Sequence, residues 1–385
     1  MQYFLNEQQQ MVRSLARRIA EERIVPVRAE LDEKEEFPWP LMRELAAADM
    51  FRVFVPEQYG GLGGGWLDLC LAIEELSRGC GGVAISYAAS ALGASPLMEY
   101  GSEEQKQKFL PDIASGKKLA AFALTESAAG SDVSAIMTSA VREEGCYVLN
   151  GSKLFITNGG EADLYTVVAM TDKARGPRGA TAFVVEKGTP GFSFGKKEKK
   201  MGIRSSVTRE LIFRNCKVPE QNLLGREGIG FIMAVRTVER GRLGVAAQAV
   251  GLAQGALEAA VAYARTRIQF GHPISSFQAV QHMLANMAME LEAARSLVYA
   301  TAKTIDSGAK SFSEEVAMAK VFATDVAMKV TTDAVQILGG AGYMRDYPVE
   351  KMMRDAKITQ IYEGTNQVLR SAIALDLLKR KAMRA

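Results

Sequence analysis

The chain has 385 residues, too many for one simple core, so two or three domains are expected. Its 48% hydrophobic content, 24% charged content and net charge of +3 are ordinary for a globular protein and argue against a dedicated nucleic-acid binder. Its two histidines, His272 and His282, and four scattered cysteines, Cys70, Cys80, Cys146 and Cys216, argue against a serine–histidine hydrolase, a multi-histidine metal centre, a zinc site or a redox dithiol. No metal is therefore expected, and the thiols are read as reduced and mostly buried. If the protein is an enzyme, its acid–base group should be a carboxylate, with the hard chemistry left to a cofactor. The polar, amphipathic N-terminus resembles neither a signal peptide nor an import sequence. No apolar run approaches the ~20 residues of a membrane span, so the bacterial cytoplasm is the default location.

Residues 1–118 read as a helical domain. Asn6 with Gln9 fits a capping box, after which Val12, Leu15 and Ile19 fall on one helix face. Pro26 ends that run, and Pro38 and Pro40 bracket a new start. Gly60 to Gly65 form a loop before a helix over Leu67 to Leu76. The stretch from Val83 to Leu97 is a helix rich in small residues, suited to close packing or to leaving space beside it. Ser102 with Gln105 is a second capping box.

Residues 119–227 read as a β domain. Tyr147 to Leu149, then Asn150-Gly151, then Leu154 to Ile156 predicts a hairpin with a type I′ turn. Leu164 to Met170, Ala180 to Val185 and Leu211 to Phe213 are further strands. From 228 to 385 long helices return, over Phe231 to Arg265, Phe277 to Thr304 and Glu314 to Leu338. With the helix-like tail after Gln367 as a fourth, they predict an antiparallel bundle.

Three distant segments carry the chemistry. The loop from Phe122 to Asp132 contains Ala128, Ala129 and Gly130, small enough for backbone amides to approach a bound group, with hydroxyls from Thr125 and Ser131. Phe155-Ile156-Thr157 places an aromatic face and a hydroxyl two residues apart on one strand face, as a flat heterocycle would need. Ile361-Tyr362-Glu363-Gly364-Thr365-Asn366-Gln367 sets one carboxylate between an aromatic ring and a glycine. Each segment alone has a plainer reading: an ordinary β-domain loop, a core phenylalanine with an edge threonine, and a glutamate at a helix N-terminus.

Together the three resemble the signature of the acyl-CoA dehydrogenase family, flavoenzymes that introduce a double bond between the α and β carbons of a thioester, and the resemblance covers essentially the whole chain. It implies an α+β multidomain fold: an N-terminal helical domain, a middle domain of packed sheets and a C-terminal four-helix bundle. It implies FAD, with Phe122, Leu124, Thr125, Phe155, Ile156 and Thr157 at the flavin ring and Gly130 and Ser131 at the pyrophosphate. Ser131 also faces the CoA side. The family usually has proline at the position of Ser127 and glycine at Ala128, and many members have tryptophan at Phe155. Arg267, Gln269, Phe270 and Gln278 would reach the flavin of a neighbouring subunit, an arginine suiting a pyrophosphate. Gln336, Gly339 and Gly340 would meet the adenosine half, again across a subunit contact, and Thr365 and Gln367 also match dinucleotide-touching positions.

Glu239 and Arg242 fall to the CoA moiety, although a helical Glu–Arg cluster is usually a solvated face. Some relatives, isovaleryl-CoA dehydrogenases among them, carry their catalytic glutamate at the position of Gly241. Here glutamate stands at 363, the short- and medium-chain arrangement. Glu363 is the expected base, taking the α-proton in a dry site walled by Tyr362, with Gly364 leaving room for the acyl chain. The Glu363 amide and a flavin ribityl hydroxyl would meet the thioester oxygen. Ile85, Ala88, Ala89 and Leu92 would line the pocket floor. Val83 stands where glutaryl-CoA dehydrogenases carry arginine, which disfavours a dicarboxylyl substrate.

The expected protein is thus an FAD-dependent acyl-CoA dehydrogenase for a short- to medium-chain acyl-CoA, branched or cyclic acyls included. It would be a homotetramer, a dimer of dimers, passing electrons to electron-transferring flavoprotein. The alternatives are a flavin acyl-CoA oxidase using oxygen and a non-catalytic nucleic-acid-binding relative.

Overall fold

The computed structural model describes residues 3–382. Six helices open the chain: α1 (Glu7–Ile19), α2 (Arg28–Lys34), α3 (Trp39–Ala47), α4 (Trp66–Gly79), α5 (Gly81–Tyr100) and α6 (Glu103–Ala114). Both capping boxes form. Asn6 Oδ1 accepts from the Gln9 amide at 2.8 Å while Gln9 Oε1 accepts from the Asn6 amide at 3.0 Å. Ser102 and Gln105 exchange the same pair of bonds at 3.2 and 2.9 Å. The small residues of α5 serve close packing. At Gly93 an added Cβ would lie 2.5 Å from the Ala121 amide, so only glycine lets this helix press against the next strand.

The middle strands are β1 (Ala120–Ala123), β2 (Ser139–Glu143), β3 (Cys146–Thr157), β4 (Leu164–Met170), β5 (Ala180–Glu186), β6 (Phe192–Lys197), β7 (Thr208–Pro219) and β8 (Leu223–Leu224). They run in the order β6-β7-β3-β2-β4-β5-β8, with β1 parallel to β4. The two halves of this order, β6-β7-β3-β2 and β4-β5-β8, are joined through one residue pair, Ser139 with Met170.

The hairpin expected at Asn150-Gly151 does not form there. β3 runs straight through both residues, and the chain reverses instead near Gly145, where Glu143 pairs with Cys146. A type I′ turn needs positive φ at both central residues. Gly151 has it, at +139°, and Asn150 does not. The glycine is used for a shift of register against β7, and its missing side chain avoids Thr138, whose Cα would lie 2.8 Å from a Cβ. Asn150 Oδ1 meanwhile accepts from the Asn215 amide at 2.8 Å.

The C-terminal part begins with α7 (Gly230–Thr266), followed by the short ladder of β9 (Ile268–Gln269) and β10 (His272–Pro273). Then come α8 (Gln278–Asp306), α9 (Ser313–Leu338), α10 (Gly340–Tyr343), α11 (Val349–Thr359) and α12 (Asn366–Ala382). Three helices are long. Where a fourth was expected, two shorter ones stand, separated by Gln360 to Thr365. That break is structural, because Glu363 and Gly364 have φ of +54° and +95°, which no helix accommodates. Among the described residues α7 alone is long and apolar enough to cross a membrane, and 67% of its most apolar stretch is buried inside the protein. It packs against α4, α5, α8, α9 and α11, so its apolarity belongs to the core.

Candidate active site

The three motifs converge on one cavity of about 200 Å³. One wall is β1 and the loop after it, with Phe122, Leu124, Thr125, Gly130 and Ser131. The end of β3 adds Phe155, Ile156 and Thr157. Opposite them, α5 supplies Ile85, Ala88, Ala89 and Leu92, and α7 supplies Gly241, Arg242 and Gly244. Tyr362, Glu363 and Gly364 close it from the turn between α11 and α12. Trp66, Leu69 and Ile73 of α4 also line it, and no motif announced them.

Phe155 was expected to share a strand face with Thr157 by simple alternation. The register of β3 against β7 shifts between Lys153 and Ile156, and Phe155 takes φ of +57°. A left-handed phenylalanine is costly. Here it leaves the ring 66% exposed on the cavity wall. Alternation would have sent one of the three residues away, whereas the bulge lets Phe155, Ile156 and Thr157 all border the same space.

Glu363 lines the cavity and is half-buried as a residue. Its Oε2 is out of contact with solvent and has no hydrogen-bond partner. Burial pushes the carboxyl pKa up to about 7, against the opposing pull of Arg242 and Lys320. No ion pair to this carboxylate forms among the described residues. Each cation binds a backbone carbonyl instead: Arg242 Nε donates to Glu363 O at 3.0 Å, and Lys320 Nζ donates to Gly364 O at 2.7 Å. The Tyr362 hydroxyl donates to Gln248 Oε1, whose Nε2 in turn donates to Gly81 O at 3.0 Å. A Cβ at Gly241 would lie 3.0 Å from Glu363 Oε2 and 2.9 Å from Leu92 Cδ1. Positions 241 and 363 therefore address the same point in the cavity.

The loop after β1 is tied down by an ion pair that sequence reading missed. Lys153, wholly buried, donates to Glu126 Oε1 at 2.6 Å and to Leu124 O at 3.0 Å. Glu126 also accepts from the amides of Met137 at 2.6 Å and Thr138 at 3.1 Å. Burial pulls the Lys153 pKa down to about 8, and the lysine holds the Glu126 carboxyl below its ordinary value despite burial. Lys320 was missed as well. Its signal was present: Val316, Ala319, Ala323 and Ala327 mark a buried helical stripe, and Lys320 sits within it.

The remaining expected residues are not at this cavity. Glu239 accepts from Ser313 Oγ at 2.7 Å and does not line it. Arg267, Gln269, Phe270 and Gln278 lie exposed around the β9–β10 ladder, with Phe270 92% exposed. Gln336, Gly339 and Gly340 are exposed where α9 ends, and no atom lies within 4 Å of a Cβ built on either glycine. Gln367 is exposed and Thr365 half-buried, its hydroxyl accepting from the Val368 amide at 3.3 Å.

Helical, β and helical segments thus enclose one cavity that Glu363 and Phe155 both line. Residues 6–117, 121–216 and 228–378 match the N-terminal, middle and C-terminal domains of acyl-CoA dehydrogenase, and the chain belongs to that family. It is 50% identical over 373 residues to the short-chain-specific acyl-CoA dehydrogenase of Megasphaera elsdenii, covering 96% of this chain and 97% of that one. It superposes with a TM-score of 0.96 and 53% identity, over 98% of this chain and 100% of the other, on a chain from the structure of the electron transferring flavoprotein of Acidaminococcus fermentans, described in connection with flavin-based electron bifurcation. The acyl-CoA dehydrogenase of Bacillus anthracis complexed with FAD matches with a TM-score of 0.92 and 36% identity, over 99% of this chain and 68% of that one.

Proposed function

We propose that this chain is an FAD-dependent dehydrogenase of short- to medium-chain acyl-CoA, with Glu363 as the base that takes the α-proton. The observation that carries this reading is the enclosed carboxylate of Glu363, unpartnered and held near neutral pKa beside Gly241. A base with a raised pKa binds the proton it removes more firmly, and near neutrality it is still partly ionised. The residues present fit a flavin. Phe155 offers an open aromatic face, Thr157 a hydroxyl beside it, and a Cβ at Gly130 would meet nothing within 4 Å, leaving backbone open for a bound edge. FAD, when bound, supplies the acceptor for the β-hydride.

The chain's own groups do the rest. The turn that carries Glu363 is locked through the carbonyls of Glu363 and Gly364, so the carboxylate starts where the α-proton arrives. The Glu363 amide is assigned to the thioester oxygen, where charge develops. Tyr362, half-buried and bonded to Gln248, walls off water. Arg242 stays beside the base, bonded to its carbonyl, and its charge favours the ionised carboxylate. The chain-facing surfaces of Ile85, Ala88, Ala89 and Leu92 suit an uncharged acyl group of about four to eight carbons, branched or cyclic acyls included.

Arg267, Gln269, Phe270, Gln278, Gln336, Gly339 and Gly340 are assigned to the dinucleotide of a neighbouring subunit in a homotetramer. Their exposure, and that of Ile268 at 58% beside Phe270, supports a partner surface there. Electron-transferring flavoprotein is assigned as the acceptor and the bacterial cytoplasm as the location. The test is anaerobic mixing with a panel of acyl-CoAs. Wild type should bleach its flavin. Glu363→Gln should keep FAD and near-normal acyl-CoA binding and slow by ~10³ or more, having no other proton acceptor in reach. Turnover within tenfold of wild type would remove Glu363 from the role. Prompt reoxidation of the reduced enzyme in air, with stoichiometric peroxide, would make it an oxidase instead.

A further inference from the structure

Glu363 and Gly364 hold consecutive left-handed conformations, with φ of +54° and +95°. For a glutamate this costs free energy, and the surrounding structure must hold it. Arg242 reaches in from α7 and Lys320 from α9, one to each carbonyl of the pair. Lys320 is the more demanding of the two. It is 0% exposed, and no carboxylate lies within ion-pair distance of it among the described residues. A buried ammonium without such a partner costs more than methionine or leucine at the same place would. Two of its hydrogen bonds go to the site: Gly364 O at 2.7 Å and Asn366 Oδ1 at 2.9 Å. Asn366 is fixed in turn by donating to Thr324 Oγ1 at 2.8 Å and Asp325 Oδ1 at 2.9 Å.

We propose that Lys320 is a positioning residue for proton abstraction: it locks the Glu363–Gly364 turn and sets a positive charge behind the carboxylate without bonding to it. The charge favours the ionised carboxylate, and neither of its oxygens is engaged by a cation among the described residues. The proposal rests on Glu363 being the base. The other charged groups around it are accounted for. On α7, the Arg242 charge acts on Glu363 and that of Glu239 on Arg242, while Arg240 is engaged by Glu99 of α5. On α9, Asp325 faces Lys320 and is paired with Arg370 of α12. Tyr362 has Gln248 and feels Asp355 of α11, and the β-domain wall presents the hydroxyls of Thr125, Ser131 and Thr157. Burial pulls the Lys320 pKa down to about 7, the Glu363 charge opposing this, so the two groups titrate together around neutrality.

The sign follows. Loss of the cation disfavours the carboxylate, so its pKa rises and less base is ionised at neutral pH. In Lys320→Gln, which keeps an N–H donor and removes the charge, the acid limb of kcat/KM should move up by about one pH unit. At pH 7 kcat/KM should fall ~5-fold and recover at alkaline pH. Lys320→Arg keeps the charge and should keep the midpoint of wild type. A purely structural lysine would lower activity at every pH and leave the midpoint in place. An unmoved midpoint in the Gln variant, an equal shift in the Arg variant, or loss of folded protein in both overturns the proposal. Glu363→Gln measured in parallel separates the two readings: if that variant keeps turnover, it is the assignment of the base that fails.

Discussion

At the scale of single residues, the site depends on what is absent at 241 as much as on what is present at 363. A methyl group at 241 would stand 3.0 Å from Glu363 Oε2 and 2.9 Å from Leu92 Cδ1. Leu92 can yield by a rotamer change, but the carboxylate is held by a locked turn. Gly241→Ala should therefore leave the fold and FAD content intact and lower kcat at least ~10-fold, by displacing the base from its line of attack. Unchanged kcat would show that the carboxylate moves freely. The Glu363 carboxyl also bears on stability. Its folded pKa of about 7 lies above its ordinary 4.5, so between those values the folded state binds more protons than the unfolded chain. Stability from this group is fully present below about 4.5 and is lost as pH rises through 7. The loss is up to about 3 kcal/mol. Glu363→Gln should thus melt higher than wild type at pH 8, with the gap closing at pH 5. Parallel melting curves at both pH values would contradict the assignment.

Single elements carry the next constraint. Lys153 anchors the loop after β1 by bonds to Leu124 O and Glu126. The lysine comes from β3, and Glu126 spends its oxygens on that lysine and on the Met137 and Thr138 amides. Removing one partner of such a pair strands the other charge. Lys153→Met should cost about 3–5 kcal/mol in urea unfolding and release flavin on gel filtration. If stability and flavin content both match wild type, the pair is not what orders the loop. β3 itself departs from its simple pattern twice, at Gly151 and at Phe155, and both departures are shifts of register against β7. Period-two alternation describes one strand, whereas a bulge is a property of a pair of strands, so a single segment of sequence cannot show where it falls.

For the whole molecule, the open question is how the exposed motif residues are used. Arg267, Phe270, Gln336 and Gly340 are exposed and away from the cavity of their own chain. If they serve a neighbour's dinucleotide, assembly and cofactor retention are one event. Arg267→Ala should weaken both together, read as a lower sedimentation coefficient accompanied by loss of flavin absorbance. A tightly flavinylated monomer would contradict the shared site.

The sequence by itself determined the order of helical, β and helical segments, because caps, proline stops and hydrophobic periods act over a few residues. It also singled out Glu363, the loop from Phe122 to Ser131 and Phe155 to Thr157, because the three together resemble the family signature. Tertiary structure alone decided that these segments share one cavity, that α4 joins them through Trp66, Leu69 and Ile73, and that Gly241 lies against the Glu363 carboxylate. It alone placed Lys320 on the Gly364 carbonyl and Lys153 on that of Leu124. Such contacts join residues tens to hundreds of positions apart. They are set by how helices and strands pack and register, which no local pattern encodes.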